Sequence, residues 1–540
     1  MDVQTRALAS RTLAWRIALG AILLLALVLR LKGIHDPVLD HPGWRQGDTA
    51  SIARNFAQLQ LNPLYPQTDY NGPPPNYVEL ELQIVPFACA LLYKVFGVHE
   101  IFGRLISIAF SLGTVGVLAY FGRWLFAGEL AGLFAALLYA IMPGSIYYGR
   151  TFTPDTTMVF FLTAALYAIA RLLVDEQALP ARRLAGACAL LTLAFLAKPV
   201  SVAALAPILA LAGDRLRIRR RLEWGRLALY VAVPLLVLFA YDSFVSAHAE
   251  WHWASGITRL HVLPALQAGL TTVAGFALKW VRFNAVLDML ARGMLGTTST
   301  ALAILGFLFV ARRARSAPLL WGWLAGGLAY TYVVVTVERV DYYMYLLLPL
   351  AALAGGAFLG RVAGAVTASA LARGFKYAAA IAGIVLLAFV VQRSRATIRP
   401  YYYYAKQVYR DAIFLDKTLP PNAIIVMGHY DPSVLYYIDR YGWEEDPYLW
   451  TPFDEKSAIH KGARYFIDIE QNRFNKNVEL CAWMQRFPVM NPNAQWIVYE
   501  TDPKKIKPGA QVRWLAFRKA EFAGNARAWL DANGLCPLSQ

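Results

Sequence analysis

The sequence predicts an α-helical polytopic membrane protein that ends in a small extracytoplasmic α/β domain. Three observations carry that expectation. Of its 540 residues, 58% are hydrophobic and only 16% are charged, a balance suited to hydrocarbon rather than water. Apolar stretches approaching the ~20 residues needed to cross a bilayer recur from Leu13 to Gln392. Beyond that point the composition turns polar and mixed, so the chain divides into a transmembrane domain, residues 1–395, and a domain spanning residues 396–540. The net charge of +17 has no long basic run or nucleic-acid motif behind it. It suits cytoplasmic loops facing anionic lipid, and no nucleic-acid partner is expected.

The first span, Leu13 to Leu31, follows Arg6, Arg11 and Arg16, which keeps the N-terminus cytoplasmic. No small-residue cleavage site follows its apolar core, so it reads as an uncleaved span. A long first loop, residues 32–82, contains His41-Pro42-Gly43-Trp44-Arg45-Gln46-Gly47-Asp48. Its prolines and glycines form a turn, and Asp48 is expected to cap a following amphipathic helix in which Ile52, Ala53, Phe56 and Leu59 share one face. Residues 84–97 are apolar but short, and read as a juxtamembrane or re-entrant helix.

Ten more spans are expected at 102–122, 130–147, 157–174, 184–198, 200–213, 227–244, 295–311, 318–337, 342–360 and 376–392. This parity places Gly122-Arg123-Trp124, Arg182-Arg183, the run Arg215 to Arg221, Arg312-Arg313 and Arg361 to Lys376 together on the cytoplasmic side. With eleven spans the C-terminus lies outside. Asp48, the turn Tyr147 to Asp155, the Lys198-Pro199 turn, residues 245–294 and everything after 393 then share the outer face. In the C-terminal domain, strands are expected at 423–427, 464–468, 496–499 and 512–517.

Several charged residues stand where charge is costly. Lys198 interrupts an apolar run, and ionisable groups in such places usually serve function. Asp155, after a proline, opens a span and has a capping reading; Arg150 has one as an interfacial arginine. Glu79 and Glu81 precede an apolar helix, where negative charge suits the N-terminus. Arg339, Asp341, Tyr342 and Tyr343 open a late span. Cys89 and Cys188 lie in apolar segments. Cys481 and Cys536 are the two cysteines outside them, in a compartment that permits oxidation. A bond between them would stabilise by about 4 kcal/mol on the chain-entropy account.

An aspartate in the first loop, the Arg150-Thr-Phe-Thr-Pro-Asp155 turn, Lys198-Pro199, and Asp341-Tyr342-Tyr343 leading to Pro349 occur in a distinctive order. In these the chain resembles the polyprenyl-phosphate-dependent membrane glycosyltransferases of the GT-C fold, in the bacterial branch with the protein O-mannosyltransferases and the lipid A aminoarabinose transferase. Residues 44–49, Trp-Arg-Gln-Gly-Asp-Thr, are similar to a subgroup that acts on cell-surface glycans. Relatives with an Asp-Glu pair in the first loop differ here at Thr49. Aminoarabinose transferases carry an arginine where this chain has Ser51, and a lysine before paired prolines that Gly72-Pro73-Pro74 lacks.

The resemblance implies an inverting transfer of a sugar from a polyprenyl-phosphate donor to a cell-envelope glycan, glycolipid or protein, on the periplasmic face of a bacterial inner membrane. Asp48 and Asp155 are the implied catalytic residues. Arg45, Arg54, Glu81, Arg150, Lys198, Tyr342 and Tyr343 are the implied donor-phosphate and substrate contacts. A lipid-phosphate donor brings its own leaving group, so no cofactor is required and dependence on a divalent metal stays open. A flippase of lipid-linked sugars is the alternative, but the matched broken helices of inverted repeats are not evident.

Overall fold

The computed structural model describes residues 3–175, 180–215, 221–369, 372–490 and 496–538. It divides into two compact units. Unit 1 comprises residues 1–35, 79–248 and 252–402, and unit 2 comprises 36–78, 249–251 and 403–540. The expected boundary near 395 therefore falls at 402/403. The first loop, expected with the membrane domain, belongs to unit 2 for residues 36–78.

Unit 1 is a helical membrane bundle. Among the described residues seven helices are long and apolar enough to span a bilayer: Thr12–Arg30, Ile101–Leu125, Asp155–Asp175, Trp224–His248, Ala317–Glu338, Asp341–Ala368 and Arg373–Thr397. All seven coincide with expected spans. Two further expected spans are shorter helices, Glu129–Ile141 and Thr297–Phe309. The first of these stops early because Pro143, with no N–H to continue the ladder, starts a new short helix, Pro143–Tyr148. The expected pair 184–198 and 200–213 is a helix, Ala181–Ala197, broken at Lys198-Pro199 into a 3-10 turn, Pro199–Ala204, and a second helix, Leu205–Arg215. Residues 216–220 of the expected basic run lie outside the described residues, as do 370 and 371 between Arg361 and Lys376.

One expectation fails in unit 1. Residues 245–294 are not a loop: Ser255–Thr271 and Val273–Met294 form a helix pair bent by 118°. Their charged residues Arg259, Lys279, Arg282 and Arg292 dilute the hydropathy that would have revealed them. The bend falls at Thr272, whose side chain accepts from Gly275 N and starts the second arm.

The core of unit 1 packs through small residues, as expected where lipid supplies no hydrophobic drive between helices. Gly306 meets Ala354 so closely that any Cβ on it would collide with the Ala354 carbonyl.

Unit 2 holds a four-stranded sheet: β1 (Ile424–Gly428), β2 (Tyr441–Glu444), β3 (Ala463–Asp468) and β4 (Ile497–Glu500). The order is β2-β1-β3-β4, with β1 parallel to β2 and β3, and β4 antiparallel to β3. Three strands fall where expected. The fourth, expected at 512–517, is instead part of a helix, Ala510–Phe522, in which Phe517 turns inward against Trp529 while Val512 and Leu515 stay exposed. Its alternating apolar residues also satisfy a helical stripe. The unexpected strand, β2, is Tyr-Gly-Trp-Glu, too polar and glycine-bearing to register as a strand.

The first-loop residues join this sheet through backbone bonds, Gly72 N to Gly442 O at 2.7 Å and Gly442 N to Asp69 O at 3.0 Å. The first-loop helix, Gly43–Gln58, is buried from Gln46 to Phe56. It lies against the helix Pro432–Ile438 at Gly47, where a Cβ would stand 2.5 Å from Ser433 Cα. Cys481 is disulfide-bonded to Cys536 in the apolar cluster under the sheet.

Candidate functional site

Unit 1 buries a charge pair at the break between two helices. Lys198 ends the helix Ala181–Ala197 because Pro199 cannot continue it, and Asp155 opens the helix Asp155–Asp175. The Lys198 ammonium donates to Asp155 Oδ1 at 2.6 Å, with both side chains almost wholly buried. The same nitrogen stands 4.7 Å and 4.8 Å from the ring centres of Tyr342 and Tyr343, close enough for cation–π attraction. Asp155 Oδ2 is buried with no hydrogen-bond partner. An unsatisfied buried carboxylate oxygen is costly, so this acceptor is open to a hydroxyl or ammonium donor. Four expected site residues, Asp155, Lys198, Tyr342 and Tyr343, are therefore one constellation.

Beside it lies a second carboxylate that the expected catalytic and binding set did not include. Asp341 accepts from Tyr148 at 2.5 Å and from Tyr401, and from its neighbour's backbone, Tyr342 N, at 2.9 Å. This fixes the turn that presents Tyr342 and Tyr343. The Asp-Tyr-Tyr wording was visible in the sequence, but Tyr148 and Tyr401 are too distant along the chain for any local pattern to link them.

Arg150 is completely buried rather than interfacial. It donates to Gly33 O at 3.0 Å and its guanidinium lies 4.9 Å and 4.6 Å from the rings of Tyr147 and Tyr402. Glu81 is buried in the segment leading to the helix Ile84–Phe96. Its neighbour Leu82 donates to Leu196 O at 2.8 Å, two residues before Lys198. Glu79 accepts from Ser255 Oγ at 2.8 Å and lies 3.4 Å from His252 Nδ1.

Unit 2 places the first-loop aspartate differently from the expectation. Asp48 is not a cap: the helix begins at Gly43 with Pro42 before it, so Asp48 lies inside the helix. It is 5% exposed, and Tyr70 and Trp44 hydrogen-bond its carboxyl. Its Oδ1 is buried without a partner. Burial pushes Asp48 up to about 7, with Asp431 acting in the same direction, and Arg45 and the two hydrogen bonds only partly oppose it.

Around it the carboxyl ends of the parallel strands gather further acids. Burial raises Glu444, with Glu445, Asp48 and Asp431 adding to the effect, and burial pushes Glu445 up to about 7. At the end of β3, burial and then Glu470 push Asp468 up to about 8. Ligands of open parallel sheets commonly bind at this edge. Trp44 and Tyr430 meet there at 4.4 Å between ring centres.

Arg54 has another use than the phosphate contact expected of it. It pairs with Asp69 and Asp439, each at 2.6 Å, donates to Tyr436 O at 2.9 Å and stacks on the Tyr436 ring. Asn55 donates to Asp69 Oδ1 and accepts from Tyr441. Arg54 is thus committed to joining the first loop to the C-terminal residues.

With this geometry in view, the architecture is that of the GT-C class of membrane glycosyltransferases. Residues 83–240 match the family model of dolichyl-phosphate-mannose-protein mannosyltransferases. The chain shares its fold with ArnT from Cupriavidus metallidurans bound to undecaprenyl phosphate, at 15% identity, covering 92% of this chain and 99% of that one, with a TM-score of 0.56. The apo form of ArnT gives 16% identity, coverage of 92% and 100%, and a TM-score of 0.58. The archaeal oligosaccharyltransferase AglB from Archaeoglobus fulgidus, in complex with an inhibitory peptide and a dolichol-phosphate, matches at 15% identity over 92% of this chain and 75% of that one, with a TM-score of 0.58. No curated protein matches the chain in sequence.

Proposed function

We propose that this chain is an inverting glycosyltransferase that moves a sugar from a polyprenyl-phosphate donor to a hydroxyl of a cell-envelope glycan or glycolipid. We place it in a bacterial inner membrane, with the N-terminus cytoplasmic and the C-terminal residues periplasmic. The observation that carries the reading is the buried Lys198–Asp155 pair over Tyr342 and Tyr343, in a fold whose solved examples include one bound to undecaprenyl phosphate.

The roles are assigned within each unit. In unit 2, Asp48 is the general base: its carboxylate takes the proton of the acceptor hydroxyl, and a pKa near 7 suits that task at neutral pH. The acceptor oxygen bonds to the anomeric carbon from the face opposite the phosphate. The bond from that carbon to the phosphate oxygen breaks, and polyprenyl phosphate leaves with the electron pair. One base without an enzyme nucleophile implies inversion, in contrast to the paired carboxylates of retaining hydrolases. In unit 1, Lys198 is the cation suited to a lipid phosphate, and Asp155 holds Lys198 and presents an open oxygen to a hydroxyl. Arg150 stiffens the same turn from within. The acids around Asp48, with Trp44 and Tyr430, suit a ligand rich in hydroxyls and C–H faces, which supports a sugar-bearing acceptor. A protein hydroxyl is the second acceptor class, supported by the family match over residues 83–240.

The test is acceptor-dependent release of free polyprenyl phosphate from a lipid-linked sugar by purified protein. Stoichiometric release with glycosylated acceptor is the expected result. Movement of intact donor across a vesicle membrane without cleavage would establish the flippase reading instead.

A further inference from the structure

The helix Ala510–Phe522 of unit 2 is held to its domain by one side. Ala510 and Phe517 are buried, and Phe517 packs on Trp514 at 5.4 Å and on Trp529 at 5.7 Å between ring centres. The opposite side is apolar too. Val512, Leu515 and Phe522 recur at helical spacing and fall on one stripe. They are 71%, 58% and 85% exposed, so this stripe has no part in the core. Large apolar side chains grouped on a surface mark a partner.

The charge around the stripe has one sign. Lys519 stands within it, four residues after Leu515 and three before Phe522. Residues 503–522 carry six lysines and arginines and one acid, Glu521. Arg518 takes both Glu521 and Glu479, Lys505 takes Glu500, and Asp502 accepts from the Lys504 backbone. Among the described residues, the side chains of Lys504, Lys507, Arg513 and Lys519 pair with no carboxylate; Arg513 donates to Pro508 O at 3.2 Å. Burial, and then repulsion from Arg513, lower the Lys507 pKa, so two of these cations stand close to one another.

The chemistry selects among occupants. A second copy of this face would set Lys519 against Lys519 inside the contact. A soluble polyanion would engage the cations and leave Val512, Leu515 and Phe522 in water. A layer of lipid headgroups takes both: phosphates meet the cations, and the upper acyl carbons meet the apolar stripe.

We propose that the helix Ala510–Phe522 is a membrane-surface helix that lays its Val512, Leu515 and Phe522 stripe into an anionic lipid headgroup layer. Lys519 meets lipid phosphate within the contact, and Lys504, Lys507 and Arg513 add attraction from beside it. The inference does not depend on the transfer reaction.

The test places the full chain in nanodiscs with the fluorophore NBD on Gln511→Cys, an exposed position beside the stripe, in a Cys89→Ala/Cys188→Ala background. Discs hold phosphatidylcholine alone or mixed with phosphatidylglycerol, with and without a lipid carrying a nitroxide near its headgroup. In the mixed discs the emission should shift to the blue and be quenched by the nitroxide. Neutralising Arg513→Gln and Lys519→Gln should lower the docked-to-free ratio about 5-fold per cation. Val512→Ser/Leu515→Ser/Phe522→Ser should abolish the quenching. The same fluorophore on Ser457→Cys, exposed on the helix Pro452–His460, should stay unquenched. No quenching in the mixed discs, equal quenching in phosphatidylcholine alone or at Ser457, or unchanged quenching in either variant would overturn the proposal. A blue shift without quenching would assign the stripe to a protein partner or a second copy, and overturn it as well. All five substituted side chains of the stripe and its cations are exposed, and matched melting temperatures would show that the fold is kept.

Discussion

The two units bury charge in opposite ways. Unit 1 buries its acids against partners: Asp155 against Lys198, and Asp341 against the hydroxyls of Tyr148 and Tyr401. Unit 2 closes one such pair, Arg54 with Asp69, and burial still raises Asp69 there. Buried Asp48, Glu444 and Asp468 and half-buried Glu445, with no such ion pair, also hold their protons more tightly. The difference separates two tasks. A carboxylate bonded to a cation can steady that cation opposite a phosphate. An unpaired, buried one sits near neutrality in pKa and can take up and release a proton.

The contrast is broken most strongly by removing a partner. Lys198→Ala leaves Asp155 buried and uncompensated, and should cost about 3–5 kcal/mol of stability along with transfer. The double variant Asp155→Leu/Lys198→Met should recover most of the stability but none of the transfer, because the pair is replaced by apolar volume. Thermal melts in detergent beside a turnover assay read both, and recovery of activity in the double variant would remove the pair from the mechanism.

In unit 2 the equivalent break is Arg54→Ala, which strands Asp69 and should also cost about 3–5 kcal/mol. Here the loss is one of stability, since Arg54 joins the first loop to the C-terminal residues. Protease cutting between residues 36 and 78 should accelerate. Unchanged cutting would contradict that role.

Asp48→Asn should do the reverse of a partner deletion. An acid whose folded pKa is raised stabilises the fold below its unfolded value near 4 and loses that contribution as pH rises through about 7. Asparagine has no charge to form. A rise from 3.8 to about 7, at ~1.4 kcal/mol per pKa unit, sets an upper limit of about 4 kcal/mol on the gain at pH 9. Melting curves of variant and wild type should converge near pH 4, separate progressively as pH rises to about 7 and stay apart above it, with the variant more stable. A variant less stable than wild type at pH 9 would contradict the burial account.

The smallest effect is expected from Tyr401→Phe, which removes one of two phenolic donors to Asp341. A hydrogen bond to a charged group contributes about 1.5–3 kcal/mol, so the melt should shift modestly while Tyr148 retains the carboxylate. No shift would show that Tyr148 and the Tyr342 backbone suffice.

Much of unit 1 was legible because a bilayer imposes length and composition on every span; all seven long helices fell in expected segments. The bent pair from Ser255 to Met294 was hidden by its own arginines and lysines, which a hydropathy pattern counts as loop. In unit 2, strands β1, β3 and β4 showed as apolar β-branched runs, but β2 is set by its neighbours: Gly442 donates its N–H to Asp69 O and accepts at its carbonyl from Gly72 N. The charges of unit 1 were legible as residues out of place in apolar runs. Lys198 was found that way, whereas Asp155, Tyr342 and Tyr343 entered through the resemblance that their order along the chain carries. The surroundings of Asp48 were not, because Tyr70, Asp431 and Glu444 reach it only through tertiary folding. Without them its place inside the helix was misjudged.

The proposed role of Asp48 as base is measured directly by the rate of sugar transfer by Asp48→Asn. The wild-type rate should climb as pH rises through about 7, as the carboxylate forms, and level off above it. The folded variant should be slower by about 10²–10⁴-fold at pH 8 and lack that climb, because an amide cannot accept the acceptor's proton. Transfer by folded Asp48→Asn at near the wild-type rate, with the same pH profile, would contradict the central claim.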